Sequence, residues 1–401
     1  MSGTKVVLSI VFLLALVGIC HGKDNSIWEQ ETLTNGFWGI NDKLADSGIE
    51  LGFGITSIYQ TNIHGGTSTH SRRGRHNGSY DLELWVDLQK LLGFETGSIY
   101  MLVEGGWPDA EGIDAASVNS AFGVNADAIG NQGTIIKEFY YQVPVFSDAL
   151  TMMVGKIDFT GVFDASAYAD DECTQFLNAA LVDDPTIPFP DYSLGVVLNW
   201  DITDLWYLMG GVADAQANGR ESGFSTTFHD EDYFFYALET GLTAGDATYR
   251  IGLWNDPQPK GDDNERDDVG VYTSCDRMLQ KENADPEDSQ GLGGFFRYGY
   301  APSEKNDITN FYSLGLQYQG LFDGWDDDVF GLAYARGVFA NRAALDYPAD
   351  YESVLEAYYN AQITPWFVFS PSIQYVANPT SGEGSTSKDA VVFGVRAQMT
   401  F

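Results

Sequence analysis

The chain closes on strict alternation. Val391, Phe393, Val395, Ala397, Met399 and Phe401 share one parity, and Val392, Gly394, Arg396, Gln398 and Thr400 the other. A period of two belongs to an extended strand, in which successive side chains point to opposite faces. The same pattern sets Ile49, Leu51, Phe53 and Ile55 against Glu50, Gly52, Gly54 and Thr56. It sets Tyr80, Leu82, Leu84, Val86 and Leu88 against Asp81, Glu83, Trp85, Asp87 and Gln89. It returns in Tyr312, Leu314, Leu316 and Tyr318, and again in Phe367, Phe369, Ile373 and Tyr375. Such runs last ~8–11 residues, enough to cross a bilayer as tilted strands and longer than the ~5–6 usual in soluble sheets.

A soluble β-sandwich or propeller also alternates, so the character of the two faces decides. One parity is apolar and flanked by Tyr, Phe and Trp, as in the aromatic girdles of membrane barrels. The other carries carboxylates, amides, Arg and Gly, which suit a wet lumen better than a dry core. The 44 glycines and 14% aromatic content fit many strands joined by turns. Further runs fall near 97–106, 134–143, 149–158, 191–200, 204–213, 232–242, 247–254, 291–300, 328–338 and 351–363, making fifteen in all. Bacterial barrels have an even number of strands, which assigns a hidden one to the weakly patterned stretch 269–279. The expectation is an all-β fold, a single transmembrane antiparallel β-barrel of sixteen strands over 49–401, wide enough for an aqueous channel. Phe37, Ile40 and Leu44 recur at helical spacing within 36–47. They predict a short helix at the periplasmic end, inside an N-terminal segment 23–48.

Ahead of that segment, Lys5 precedes an apolar stretch, 6–19, interrupted by Ser9. That stretch suits a secretory leader and is too short to span a membrane. Cys20 and Gly22 stand at the small-residue positions of a cleavage site, so 1–22 reads as a signal peptide. The chain is expected to be exported. Cys173 and Cys275 then meet oxidising conditions, where pairing turns on their separation in space. The net charge of -36, from 57 acids against 21 basic residues, argues against a nucleic-acid partner, which requires a clustered basic face.

Several segments carry a family likeness. The opening GFWGINDKLADSGI (36–49) and DLELWVDLQKLLG (81–93) resemble the helix and second strand of the carbohydrate-selective porins of the OprB type. EFYYQVPVFSDALTMMVGKIDFT, then FLNAA and FPDYSLG, resemble the family's central hairpin and first long loop. GGFFRYGYAP and LEAYYNAQITPWFVFSPSIQYVANP resemble its later strands. In order, these matches cover nearly all of the chain beyond the leader. Asn41, where members often carry Arg, and the acidic excess depart from the pattern. The resemblance implies passive uptake of monosaccharides or small oligosaccharides across an outer membrane, by a monomer or homotrimer, with no enzymatic step and no cofactor.

A pore that passes sugars needs weak polar contacts and aromatic surfaces, so that the ligand can leave again. Parity supplies candidates for the lumen: Glu83, Trp85 and Asp87 on the second strand, Glu138 and Gln142 on the fourth, Arg250 and Trp254, Phe295 and Arg297, and Arg396 on the last. An arginine fork can hydrogen-bond two neighbouring hydroxyls at once. Arg72, Arg73 and Arg75 form the dense basic cluster of an acidic chain. Two readings stay open for it: projection into the lumen, or contact with lipopolysaccharide phosphates beside the outer-membrane lipid. His64, His70 and His76 lack zinc spacing, and the acidic runs 261–265 and 326–328 lack the calcium-loop order of ligands, so no metal is assigned. Two rivals are a general porin with weak cation preference, favoured by the acidity, and an exported soluble β-protein that binds or cleaves glycans.

Overall fold

The computed structural model describes residues 26–401 apart from 72, 94–96, 108–111, 129–132, 229–232, 261–265, 284, 286–288, 342–346, 348 and 381–386. The leader expected over 1–22, Arg72 and the acidic run 261–265 lie outside the described residues. Sixteen strands form one closed antiparallel barrel. They are β1 (Ile49–Gly66), β2 (Gly74–Asp87), β3 (Ser98–Trp107), β4 (Gly133–Val145), β5 (Ser147–Ile157), β6 (Ser193–Thr203), β7 (Trp206–Asp214) and β8 (Phe234–Ala244). The ring continues with β9 (Ala247–Asp256), β10 (Asp268–Lys281), β11 (Gly291–Tyr300), β12 (Ile308–Gln319), β13 (Val329–Phe339), β14 (Tyr351–Thr364), β15 (Phe367–Ala377) and β16 (Lys388–Thr400). The weakly patterned stretch is β10, whose outward positions alternate Val269, Val271, Thr273 and Cys275 and so dilute the apolar signal.

From β8 to β16 the strands bury one parity and expose the other. Leu238, Ile251, Phe296, Leu314, Leu332, Leu355, Ile373 and Phe393 stand exposed on the outside. Ala237, Trp254, Arg297, Ser313, Ala333, Glu356, Gln374 and Arg396 lie buried on the inside. In water each exposed side chain would forgo about 1.5–3 kcal/mol of burial; hydrocarbon supplies it. That inverted arrangement rejects the soluble rival. Among the described residues no helix is long and apolar enough to cross a membrane; the crossing is made by strands. Lys156 points outward, and its ammonium donates to the carbonyls of Ile136 (2.7 Å), Gly219 (2.6 Å) and Glu221 (2.8 Å). The segment between β7 and β8 thus folds back over the outer wall and satisfies it.

Short connections at 204–205, 245–246 and 365–366 mark the periplasmic end, and long ones at the other end the extracellular side. β1 and β16 close the ring in register from Gly54–Thr400 onward, with Phe401 N donating to Phe53 O at 2.9 Å, which leaves 49–52 without a partner on that side. The helix α1 (Asn35–Ala45) fills that gap: Asn41 donates from Nδ2 to Leu51 O and accepts from Leu51 N, both at 3.0 Å. The expected helix is present, but its first residues, 35–39, take a left-handed turn, and the right-handed helix follows from Ile40. Thr34 Oγ1 anchors that turn by accepting from Phe37 N at 3.0 Å. Leu33, Ile55 and Phe401 pack together over the seam.

Candidate functional site: an inner wall crossed by two loops

Two long extracellular connections turn into the barrel over 112–128 and 158–192. Their apolar residues meet the inner wall in two clusters. Ile113, Val118, Val124, Phe176 and Leu181 pack on the β11–β16 side; Phe159, Phe163 and Ile187 pack on the β6–β10 side. Apolar packing alone leaves loop backbone buried beside the wall, and each buried N–H or C=O then needs a partner. The wall supplies them.

Glu356 accepts from Leu177 N and Asn178 N, both at 2.9 Å. Glu352 accepts from Ala121 N (2.9 Å), Thr380 N (3.0 Å) and the Ser120 hydroxyl. Glu239 accepts from Asp164 N at 2.9 Å and from the hydroxyls of Tyr207 (2.7 Å) and Tyr272 (2.9 Å). Gln60 and Gln374 both donate to Val124 O, at 2.7 and 2.9 Å. The sequence reading did not single out these residues. A carboxylate at mid-strand on the inner parity was the available signal.

The arginines are used in the same way. Arg297, 1% exposed, donates to Val182 O (2.8 Å), Asp164 O (3.1 Å) and Asp170 Oδ1 (3.0 Å). Arg396, 2% exposed, donates to Glu172 O (2.6 Å), Gln175 O (3.0 Å) and Asn360 Oδ1 (3.2 Å). Arg250 pairs with Asp276 at 2.6 Å, and Asp276 in turn accepts from Ser166 Oγ and Ala167 N. Phe295 packs on Phe176, and Trp254 is buried among the loop aromatics. These five candidates therefore sit in the contact between wall and loop.

The others stand elsewhere. Glu83 is exposed and Trp85 half-buried on the periplasmic half of β2. Asp87 caps the one-turn helix Leu88–Leu92, accepting from Gln89 N (2.9 Å) and Lys90 N (3.1 Å). Glu138 Oε2 accepts from Asp158 N at 3.1 Å, at the root of the second inward loop. Gln142 lies opposite Ser98. At the extracellular lip Arg73 is exposed and Arg75 half-buried.

Around Trp85 the wall stays open. Trp85, Tyr100 and Tyr140 face one another directly across β2, β3 and β4. Their ring centroids are 6.0 and 5.2 Å apart. A cavity of about 340 Å³ beside them is lined by Asn41, Asp42, Glu50, Glu83, Trp85 and Tyr100. Above the aromatic row come Glu83 and Glu138, then Asp81 and Glu104. A register shift in β4 turns Lys137 inward as well, and its ammonium meets Glu104 at 2.8 Å. Carboxylates thus outnumber cations along this strip. Cys173 and Cys275 are both free thiols.

Burial within the second loop raises Asp183 to about 7 and Asp184 to about 6, the Arg297 charge opposing the rise in both. A carboxyl raised on folding favours the docked state at low pH, and that contribution is lost as pH rises through these values. Limited proteolysis within 158–192 is therefore expected to be faster at about pH 8.5 than at about pH 5.5; equal rates would contradict it.

A closed ring with a lipid-facing exterior and inward loops defines a porin-type transmembrane barrel. The sequence model of the carbohydrate-selective porin, OprB family, matches residues 71–401, and the chain belongs to that family. Its fold is similar to the high-pH structure of Pseudomonas putida OprB, with a TM-score of 0.81 at 18% identity, covering 94% of this chain and 100% of that one. Porin AaxA of Chlamydia trachomatis serovar D is 23% identical over 269 residues, 66% of this chain and 55% of that protein. Porin B of Pseudomonas aeruginosa is 26% identical over 151 residues, 33% of this chain and 32% of that protein. The chain thus spans about half or less of the curated relatives it matches. Fold and family together place it in an outer membrane.

Proposed function

We propose that this barrel conducts sugars passively across the outer membrane, past the open periplasmic half of the β1–β4 wall. The observation that carries the reading is the row Trp85, Tyr100 and Tyr140, with Glu83 and Glu138 one step above it. Ring faces take the apolar faces of a pyranose, while carboxylates and amides exchange hydrogen bonds with its hydroxyls. Such contacts hold a sugar weakly enough for it to move on. The inward loops support selectivity by covering the remaining wall. Family membership agrees with a carbohydrate as the solute. At the lip, exposed Arg73 is suited to lipopolysaccharide phosphates.

Planar-bilayer recording with added mono- and disaccharides tests this. Concentration-dependent block of the current is expected. Trp85→Ala should weaken that block about five-fold, since one ring contact is worth on the order of 1 kcal/mol. No block by any sugar would reject the selective reading and leave a general porin. The acidic strip also favours a second property, cation preference. A reversal potential of the cation-selective sign in a salt gradient, reduced in Glu83→Gln, is expected; an anion-selective sign would contradict it.

A further inference from the structure

We propose that Asp127, Glu172 and Cys173 bind a zinc-class divalent ion that ties the two inward loops to each other. Asp127 comes from the first loop, Glu172 and Cys173 from the second, and one ligand atom from each lies within 4.8 Å of the others. Asp127 is 1% exposed, and its Oδ2 is sealed from solvent with no hydrogen-bond partner. An ionised oxygen in that position is costly unless a cation or a proton meets it. The surrounding charges make the need greater: Glu172, Glu104 and Asp81 all act on Asp127 as like charges. The nearby lysine, Lys137, is bonded to Glu104.

The donor set selects the ion. A thiolate with carboxylates suits zinc, whereas calcium and magnesium take oxygen ligands alone. Thr56 on β1 and Ser79 on β2 lie beside Cys173 and Asp127, and a water would take the fourth position. A tetrahedral zinc with bonds of about 2.0–2.3 Å holds its ligands roughly 3.5 Å apart. The three atoms would therefore draw in by about an ångström on binding. On binding, the Cys173 thiol releases its proton to solvent. The ion would join 112–128 and 158–192 at one point beside the β1–β2 wall. Spacing in the sequence hides the site because its ligands come from two separate loops.

The test uses the full chain with Cys173 as its sole cysteine (Cys20→Ser and Cys275→Ser), folded in detergent and titrated with Co²⁺ as a spectroscopic stand-in for Zn²⁺. A thiolate-to-cobalt charge-transfer band saturating at one ion per chain is expected, with Zn²⁺ displacing it. Adding Cys173→Ser should abolish the band, and Asp127→Asn should weaken binding at least about ten-fold, as loss of one ligand does. Heat-modifiable gel migration verifies that each variant retains its barrel. No band from the folded chain overturns the proposal, as does equal affinity in Asp127→Asn, which would mean a cysteine acting alone.

Discussion

Arg297→Ala is expected to release the 158–192 loop from the wall, raising single-channel conductance and abolishing current block by sugars. The guanidinium holds the carbonyls of Val182 and Asp164 and the carboxylate of Asp170, and lies 3.6 Å from Asp164 Oδ2. It is the cation facing Asp164, Asp170, Asp183 and Asp184, all within the folded loop. Breaking a buried pair by removing one partner costs about 3–5 kcal/mol, because the other charge stays buried. The barrel ladder, held by sixteen strand pairings, does not depend on that residue, so the cost falls on loop docking. Arg297→Lys should recover part of the effect, since an ammonium keeps the charge and loses the fork. Unchanged conductance and unchanged sugar block in Arg297→Ala would contradict the assignment.

Glu356→Leu is the second large effect. Its two oxygens receive consecutive backbone N–H groups, those of Leu177 and Asn178, and the side chain is fully buried. Leucine fills similar space but leaves both donors without an acceptor, at about 1–3 kcal/mol each. Glu356→Gln keeps one acceptor oxygen and should fall between the two. Protease cleavage near Phe176–Asn178 is expected to follow the order Leu, Gln, Glu, fastest first. Equal cleavage in all three would mean that packing of Phe176 and Leu181 holds the loop without the wall carboxylate.

The barrel itself was legible because lipid and water divide each strand at a period of two. The Val391–Phe401 parity and the Tyr80–Leu88 parity assign faces with no knowledge of the third dimension. Even the hidden strand at β10 followed from the requirement for an even count. The inward course of the loops was not legible in that way. Arg297 and Arg396 have the right parity for the inner face, but a sequence does not state whether solute or loop backbone meets them there. Their partners are mainly carbonyls such as Val182 O and Glu172 O, and any residue carries a carbonyl. The left-handed turn at 35–39 is similarly concealed, since Phe37 and Trp38 are unusual residues for positive φ. Asn41 was visible as a departure, and its role as the substitute strand partner of Leu51 emerged with the register of β1 and β16.

Liposome swelling with a graded series of mono-, di- and trisaccharides measures most directly whether this barrel passes sugars through a lumen narrowed by docked loops. Swelling is expected with monosaccharides, falling steeply with sugar size, and Arg297→Ala should flatten that fall. No swelling with any sugar, in vesicles whose barrels carry ionic current, would contradict it.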